Sequence, residues 1–390
     1  MANFKLTEEQ EAMQKLAHEF AEREVRPVAA ELDEKGAVPW DIYKKAAEVG
    51  LTNYAYPEEY GGGGVEDPLV NCLVFEELAW GCAGVATSIG ATSLAATPIM
   101  IAGTDEQKKR YISRFCDTRE TKLGALCLTE PEAGSDASSI STTAKREGDY
   151  YILNGRKCFI SNGGIADVHI VFATVDKKKR LRGITVFIVD GKPGGFSMGK
   201  HEDKMGIRAS HTAEVIFDDV KVPVEDRLST EGTGFLIYME TLDHSRPMIG
   251  AIAVGVARAA LEHAVKYSLE RVQFGQTISR HQAIAFKIAD LAMQVEAARL
   301  LVWKAAWLHG EGLPMTKASS MAKCFAGDTA MRVTTEALQI LGGYGYMKDY
   351  PMEKLMRDAK IMQIYEGTNE IQRLVMSREI FLSMRRGGTL

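Results

Sequence analysis

Apolar residues recur at helical spacing over roughly the first 120 positions, change to short β-type runs between 121 and 231, and return to helical spacing from 232 onward. In the first stretch Thr7 and Gln10 form a capping box ahead of Met13, Leu16, Ala17 and Phe20, and Thr104 with Gln107 repeats the device. Gly50 is placed to cap a helix carrying Ile42, Ala46 and Val49. Further helices are predicted over 69–80 and through the uncharged run 81–103, separated from the first ones by a loop with four consecutive glycines, Gly61 to Gly64. The middle stretch offers strands at 125–128, 150–153, 158–160, 168–174, 184–189, 215–217 and 220–222, and Asn154 with Gly155 reads as a hairpin turn. The last stretch predicts long amphipathic helices over 240–270, 279–310 and 315–341. Two more flank a break near 365–368. Leu355, Ala359 and Met362 stripe the first of these, and Ile371, Leu374, Val375 and Met376 the second. Gly367 gives the break its backbone freedom, and Asn369 with Gln372 reads as the capping box that restarts the helix. Five helices with short joins predict an antiparallel bundle.

The fold expected is therefore mainly α with a central β domain: an N-terminal helical domain (1–120), a middle β-barrel or sandwich (121–231) and a C-terminal antiparallel helical bundle (232–390). Composition agrees with a chain of 390 residues able to bury large cores, at 46% hydrophobic and 25% charged. A net charge of -5 leaves no global basic field for nucleic acid or an anionic membrane, so any anionic ligand must be met by local donors. The run 81–103 contains Pro98 and is rich in Ser, Thr and Gly, which favours a buried helix over a membrane span. Residues 1–5 lack a signal-peptide pattern, and six cysteines without CxxC spacing read as reduced thiols; a cytoplasmic, bacterial-type location is expected, or the mitochondrial matrix after removal of a transit peptide. No metal-binding pattern is present among the Cys and His residues. The run Asp176, Lys177, Lys178, Lys179, Arg180 reads as a solvated loop tip.

Chemistry concentrates in a few places. Glu366 sits at the helix break between two apolar stripes, where desolvation would raise its pKa and make it a usable proton acceptor. The segment from Leu126 to Asp136 is a strand running into a Pro/Gly-rich turn that offers the hydroxyls of Thr129 and Ser135. Gly342 and Gly343 follow the predicted helix over 315–341 as a plain C-cap would. Asp243 and Arg246 are spaced as an intrahelical pair.

Arg357-Asp-Ala-Lys360, then Gln363-Ile-Tyr-Glu-Gly-Thr368, then Ile371-Gln-Arg373 resembles the C-terminal signature of the flavin-dependent acyl-CoA dehydrogenases, and the α, β, α domain order extends the resemblance over the whole chain. The resemblance implies α,β-dehydrogenation of an acyl-CoA, with Glu366 as the base that removes the α-proton and FAD as hydride acceptor. It places Leu128, Thr129, Phe159, Ser161 and Thr368 at the flavin, and Arg271, Phe274, Gln282, Gln339, Gly342 and Gly343 at the adenosine diphosphate half of FAD bound from a neighbouring subunit. Tyr365 and Gly367 would contact the acyl-CoA, Ser135 the thioester ligand or the cofactor, and Asp243 and Arg246 the pantetheine or nucleotide end of CoA, whose tunnel the 204–210 segment would line. Phe159 and Ser161 stand where the family usually has an aromatic, often Trp, and Thr; for Phe159 packing is the role expected. One branch of the family carries its base at a position matching Ser245, which leaves Glu366 as the matching candidate here.

The implied partners are an acyl-CoA and an electron-transfer flavoprotein, with no nucleic acid, no membrane and a homotetrameric assembly. The phrasing is closest to the short- and medium-chain group. Gly90, Ala91, Ala95 and Ala96 on the helix expected to floor the pocket are small, which predicts room for a medium, branched or cyclic acyl group. The rival readings are a same-fold flavin oxidase and the DNA-binding branch of the fold; that branch adds a basic C-terminal region, whereas here Arg385 and Arg386 are followed by four uncharged residues.

Overall fold

The computed structural model describes residues 5–387; the pattern read from residues 1–4 and the end of the chain at Leu390 lie outside the described residues. The N-terminal region contains α1 (Glu8–Phe20), α2 (Ala29–Lys35), α3 (Trp40–Glu48), α4 (Pro68–Gly81), α5 (Ala83–Ala102) and α6 (Asp105–Cys116). Both capping boxes are formed: Thr7 accepts from the Gln10 amide and Thr104 from the Gln107 amide, each at 3.2 Å. Gly50 takes a φ of 79° just past α3, as a helix end of this kind requires.

The middle region contains β1 (Gly124–Cys127), β2 (Thr143–Glu147), β3 (Tyr150–Ser161), β4 (Val168–Thr174), β5 (Ile184–Asp190), β6 (Phe196–His201), β7 (Thr212–Pro223) and β8 (Arg227–Leu228). They form one mixed sheet in the order β6-β7-β3-β2-β4-β5-β8, with β1 pairing parallel to β4. Alternate side chains of β4 and β5 enter different cores. Val168, Ile170, Phe172, Val186 and Ile188 pack with Tyr111, Phe115 and Ile237. Val171, Ala173, Phe187 and Val189 pack into the larger core shared with the helices. A sheet covered on both faces needs apolar residues in both registers, which is why β4 shows no polar alternation.

Asn154 and Gly155 do not make a hairpin. They lie within the continuous strand β3, at a register irregularity between Leu153 and Gly155. Asn154 exchanges two 2.9 Å hydrogen bonds with Asp219 of β7, at the point where Asp219 adopts a φ of 52°. A β-carbon on Gly155 would fall 2.4 Å from the Thr142 hydroxyl, so the glycine serves a close approach to the residue that leads into β2. The turn joins β2 to β3 earlier, at Gly148 (φ 61°). The predicted runs 215–217 and 220–222 likewise merge into β7.

The C-terminal region contains α7 (Gly234–Glu270), a small hairpin of β9 (Val272–Gln273) and β10 (Gln276–Thr277), α8 (Gln282–Gly310), α9 (Thr316–Leu341), the single turn α10 (Gly343–Tyr346), α11 (Met352–Ile361) and α12 (Asn369–Arg385). By length and apolarity α5 and α7 could each cross a membrane, yet both are mostly buried between other elements. α5 lies where the regions meet. It packs on α7 and on β1, where Thr92 accepts from the Gly124 amide at 3.1 Å and Asn162 of the middle region donates to the Ser88 carbonyl at 3.3 Å. All six cysteines are buried free thiols.

Candidate active site

The break between α11 and α12 spans residues 362–368, and the chain reverses within it at Tyr365 to Thr368. Glu366 (φ 57°) and Gly367 (φ 88°) both occupy the left-handed region, which reverses the chain within two residues. For glutamate that conformation costs on the order of 1–2 kcal/mol, so surrounding groups must hold it. Gln372, buried on the first turn of α12, donates to the carbonyls of Glu366 (3.1 Å) and Gly367 (2.9 Å). Lys323, buried on α9, donates to the Gly367 carbonyl (2.7 Å) and to Asn369 Oδ1 (3.0 Å). Thr368, not Asn369, caps α12, its hydroxyl accepting from the Ile371 amide at 3.3 Å. Asn369 is instead buried, donating to the Cys324 carbonyl and Asp328, and Gln372 is occupied by the two carbonyls; the polar side chains that resemble a capping box are spent on tertiary contacts.

The Glu366 carboxylate accepts from the Ser245 hydroxyl of α7 at 2.7 Å. Burial pushes its pKa above the ordinary glutamate value, while the Ser245 hydrogen bond and the charges of Arg246 and Lys323 pull in the opposite sense. Among the described residues its backbone N–H has no hydrogen-bond acceptor, leaving one donor beside one base. Arg246 is 1% exposed; one nitrogen reaches Asp243 at 3.0 Å, and Nε and Nη2 have no partner. Two unused donors on a buried guanidinium are costly in the isolated chain and suit a polar ligand group. Asp243 is additionally engaged by Thr316, so it orients Arg246. Tyr365 is half-buried, its hydroxyl 3.1 Å from Met362 Sδ.

A second group forms where β1 ends beside β3. The Cys158 amide donates to the Thr129 carbonyl at 2.9 Å, setting Leu128 and Thr129 alongside Phe159 and Ser161. A buried ion pair absent from the sequence reading staples this corner: Lys157 Nζ lies 2.7 Å from Glu130 and 2.9 Å from the Leu128 carbonyl. Burial alone would raise the Glu130 carboxyl, but Lys157 and hydrogen bonds from Thr142 and Ser141 hold it down at about 2. Phe159 (φ 59°) is not packed; its ring is 66% exposed. Ser135 is exposed on the turn beyond Thr129, without a contact to Glu366.

The third group stands at the far end of the bundle. Arg271, Gly342 and Gly343 line a cavity of about 460 Å³ together with Tyr267, Gln273 and Tyr344. A β-carbon on either glycine would meet nothing within 4 Å, so the backbone there is open to a ligand. Phe274, at the tip of the β9–β10 hairpin, is 95% exposed with φ 54°, and Gln282 and Gln339 are exposed beside the group but do not line the cavity. Along α7, Ser245 and Arg271 are separated by about 39 Å at 1.5 Å per residue, so this group is remote from Glu366 within one chain.

The 204–210 segment is a structural seam. The Ile207 amide donates to buried Asp358 of α11, and Arg208 Nε to the Asp33 carbonyl at 2.8 Å. Two of the small residues of α5, Gly90 and Ala95, are closely packed against their neighbours. A β-carbon on Gly90 would sit 3.1 Å from Phe75 and 3.3 Å from Met248, and Gly124 of β1 packs so closely on Ala95 that its own β-carbon would lie 2.8 Å away. Their size is consumed by close packing. Sequence reasoning also missed Lys323 and the tertiary role of Gln372; the available signal was a lysine on the face of α9 that carries Ala322, Ala326 and Ala330. On α8 an uncovered stripe of Phe286, Met293, Leu300 and Trp307 recurs every seventh residue, and Leu374, Phe381 and Met384 are exposed on α12.

Three family models cover the chain: acyl-CoA dehydrogenase, N-terminal domain, over residues 7–119; the middle domain over 125–220; and the C-terminal domain over 232–381. A short-chain specific acyl-CoA dehydrogenase of Megasphaera elsdenii is 50% identical over 96% of this chain and 98% of its own length. The structure of butyryl-CoA dehydrogenase from Megasphaera elsdenii superposes with a TM-score of 0.95 at 49% identity, covering 97% of this chain and 100% of that one. A chain in a structure described as the electron transferring flavoprotein of Acidaminococcus fermentans, directed at flavin-based electron bifurcation, gives a TM-score of 0.94 at 50% identity over 97% of this chain and 99% of that one.

Proposed function

The chain belongs to the acyl-CoA dehydrogenase family, and we propose that it takes short, straight acyl groups with Glu366 as the base at the α-carbon. It is an FAD-dependent oxidoreductase that converts an acyl-CoA to its trans-2-enoyl thioester. Bound FAD would supply the hydride acceptor for the β-hydrogen, with an electron-transfer flavoprotein as the outlet for the electrons. The residues present suit the cofactor. Phe159 offers an uncovered ring beside Thr129 and Ser161, and Arg271 offers a pyrophosphate fork over the open backbone of Gly342 and Gly343.

The observation that carries the reading is Glu366 itself, a strained, half-buried carboxylate with a hydroxyl on one oxygen and a free N–H behind it. Its carboxylate removes the α-proton. The backbone N–H of the same residue is the donor for the thioester oxygen as enolate charge develops, so the base and the charge stabiliser move together. Arg246 supplies buried donors to the polar ligand within the same wall. The filled space around Gly90 and Ala95, with the short-chain specificity of the Megasphaera elsdenii relative, supports a short acyl group.

The assembly we propose is a homotetramer. The Arg271 group lies too far from Glu366 for one dinucleotide to reach both within a chain, so a neighbouring subunit must contribute it, and the uncovered stripes on α8 and α12 supply apolar surface for that contact. A reducing compartment, the cytoplasm, suits six buried free thiols. The test is anaerobic titration of the FAD-loaded protein with butyryl-, isobutyryl- and octanoyl-CoA, following flavin absorbance. Butyryl-CoA should bleach it fastest; preferential bleaching by octanoyl- or isobutyryl-CoA would overturn the short, straight assignment.

A further inference from the structure

We propose that Lys323 is the positioning residue of the base: by gripping the Gly367 carbonyl and Asn369, it holds the left-handed turn that presents the Glu366 carboxylate and N–H together. This rests on the reading of Glu366 as the base and adds the device that keeps it in place.

Lys323 is completely buried on α9, yet its two hydrogen-bond partners are a carbonyl oxygen and an amide oxygen, both neutral. A buried ammonium without a carboxylate in contact is expensive, and Met or Leu would fill the same space among small neighbours such as Ser319, Ser320, Ala326 and Gly327. What the amine obtains at that cost is control of residues 366–369. The Gly367 carbonyl is gripped from two sides, by Lys323 and by Gln372, while Asn369 ties the start of α12 to α9 through Cys324 and Asp328. Release of this grip frees the chain to leave a conformation that glutamate disfavours.

The same ammonium acts on the carboxylate through space. The charged and titratable groups around Glu366 are Tyr238 and Arg246 from α7, Lys323 from α9 and Tyr365 beside it; Asp328 and Cys324 act in turn on Lys323, and Asp358 of α11 on Tyr365. Burial lowers Lys323 to about 8 even with Glu366 pulling it upward, and in its charged form it favours the ionised base.

Lys323→Gln retains a donor for the Gly367 carbonyl without the charge; Lys323→Met removes both. The FAD-loaded variants are compared with wild type in kcat, KM and the pH profile of kcat/KM, with Glu366→Gln alongside. Lys323→Met should lose about ten- to a hundredfold in kcat with KM little changed, the worth of one charge-assisted hydrogen bond. Lys323→Gln should keep most of kcat while the acid limb of kcat/KM moves to higher pH, because Glu366 has lost a cation that favoured its charged form. Should Lys323→Met fail to fold, that shift in Lys323→Gln decides alone. Wild-type kcat and an unmoved acid limb in the folded variants, or a loss confined to FAD content, overturn the proposal. If Glu366→Gln itself turned over normally, the failure would lie with the base assignment instead.

Discussion

Replacement of Glu366 by Gln separates what the residue does for catalysis from what it costs the fold. The side chains are nearly isosteric, and the Ser245 hydroxyl still finds an oxygen to donate to. Proton abstraction has no substitute, and a positioned general base contributes about 10²- to 10⁴-fold, or roughly 3–5 kcal/mol of barrier. Stability should move the other way. Glu366 has its pKa raised in the folded chain above the ordinary 4.5, chiefly by burial. The folded state is thus favoured when the group is protonated; that advantage is complete below pH 4.5 and is lost as pH rises through the raised value. Gln is permanently neutral and avoids the loss. For 390 residues the unfolding entropy is on the order of 0.8 kcal/mol per kelvin, so each kcal/mol relieved raises the midpoint by only about 1 °C. The assay is turnover with butyryl-CoA together with thermal unfolding of flavin-loaded protein at pH 5 and pH 8. Turnover should fall at least a hundredfold, with a midpoint above wild type at pH 8 and a smaller gap at pH 5. A variant less stable than wild type at pH 8 would refute the desolvation argument, and one retaining more than a tenth of the rate would refute the base.

Ser245→Ala removes the hydroxyl that favours the charged form of Glu366, so the acid limb of kcat/KM should move to higher pH; a pH profile superimposable on wild type would show that the contact is idle. Gly367→Ala places a β-carbon 2.8 Å from the Gln372 amide nitrogen at a φ of 88°, and should cost about 1–3 kcal/mol, read as a tenfold or greater fall in kcat. Met293→Glu puts a charge in the middle of the α8 stripe; sedimentation should show smaller assemblies, and gel-filtered protein should carry less FAD than wild type.

The order of regions and most helix positions were legible because burial on one side imposes a 3.6-residue period and capping uses a small set of residues, as Thr7 and Thr104 show. Glu366 was legible as a carboxylate between two apolar stripes. Local signals misled where a tertiary contact had already claimed the residue. Asn154 and Gly155 have the chemistry of a tight turn but lie within a strand, with Asn154 bonded to a residue 65 positions away. Asn369 and Gln372 have the spacing of a capping box but bind α9 and the turn at Glu366, leaving Thr368 to cap. Gly90 and Ala95 of α5 look like empty space in a sequence, and only the positions of Phe75, Met248 and β1 reveal that the space beside them is filled. The Lys157–Glu130 pair and the grip of Lys323 join a strand or helix to a turn distant in sequence, and no local period encodes such a partner.

The distance along α7 between Ser245 and Arg271 has a genetic reading. If each catalytic centre draws its proton acceptor from one polypeptide and its pyrophosphate clamp from another, the two lesions complement each other. Polypeptides with Glu366→Gln and polypeptides with Arg271→Ala would each be inactive alone, yet co-expressed they would assemble some centres with both groups intact. A polypeptide carrying both changes would instead spoil two centres in every mixed assembly, and one defective allele would silence more than its share of the enzyme.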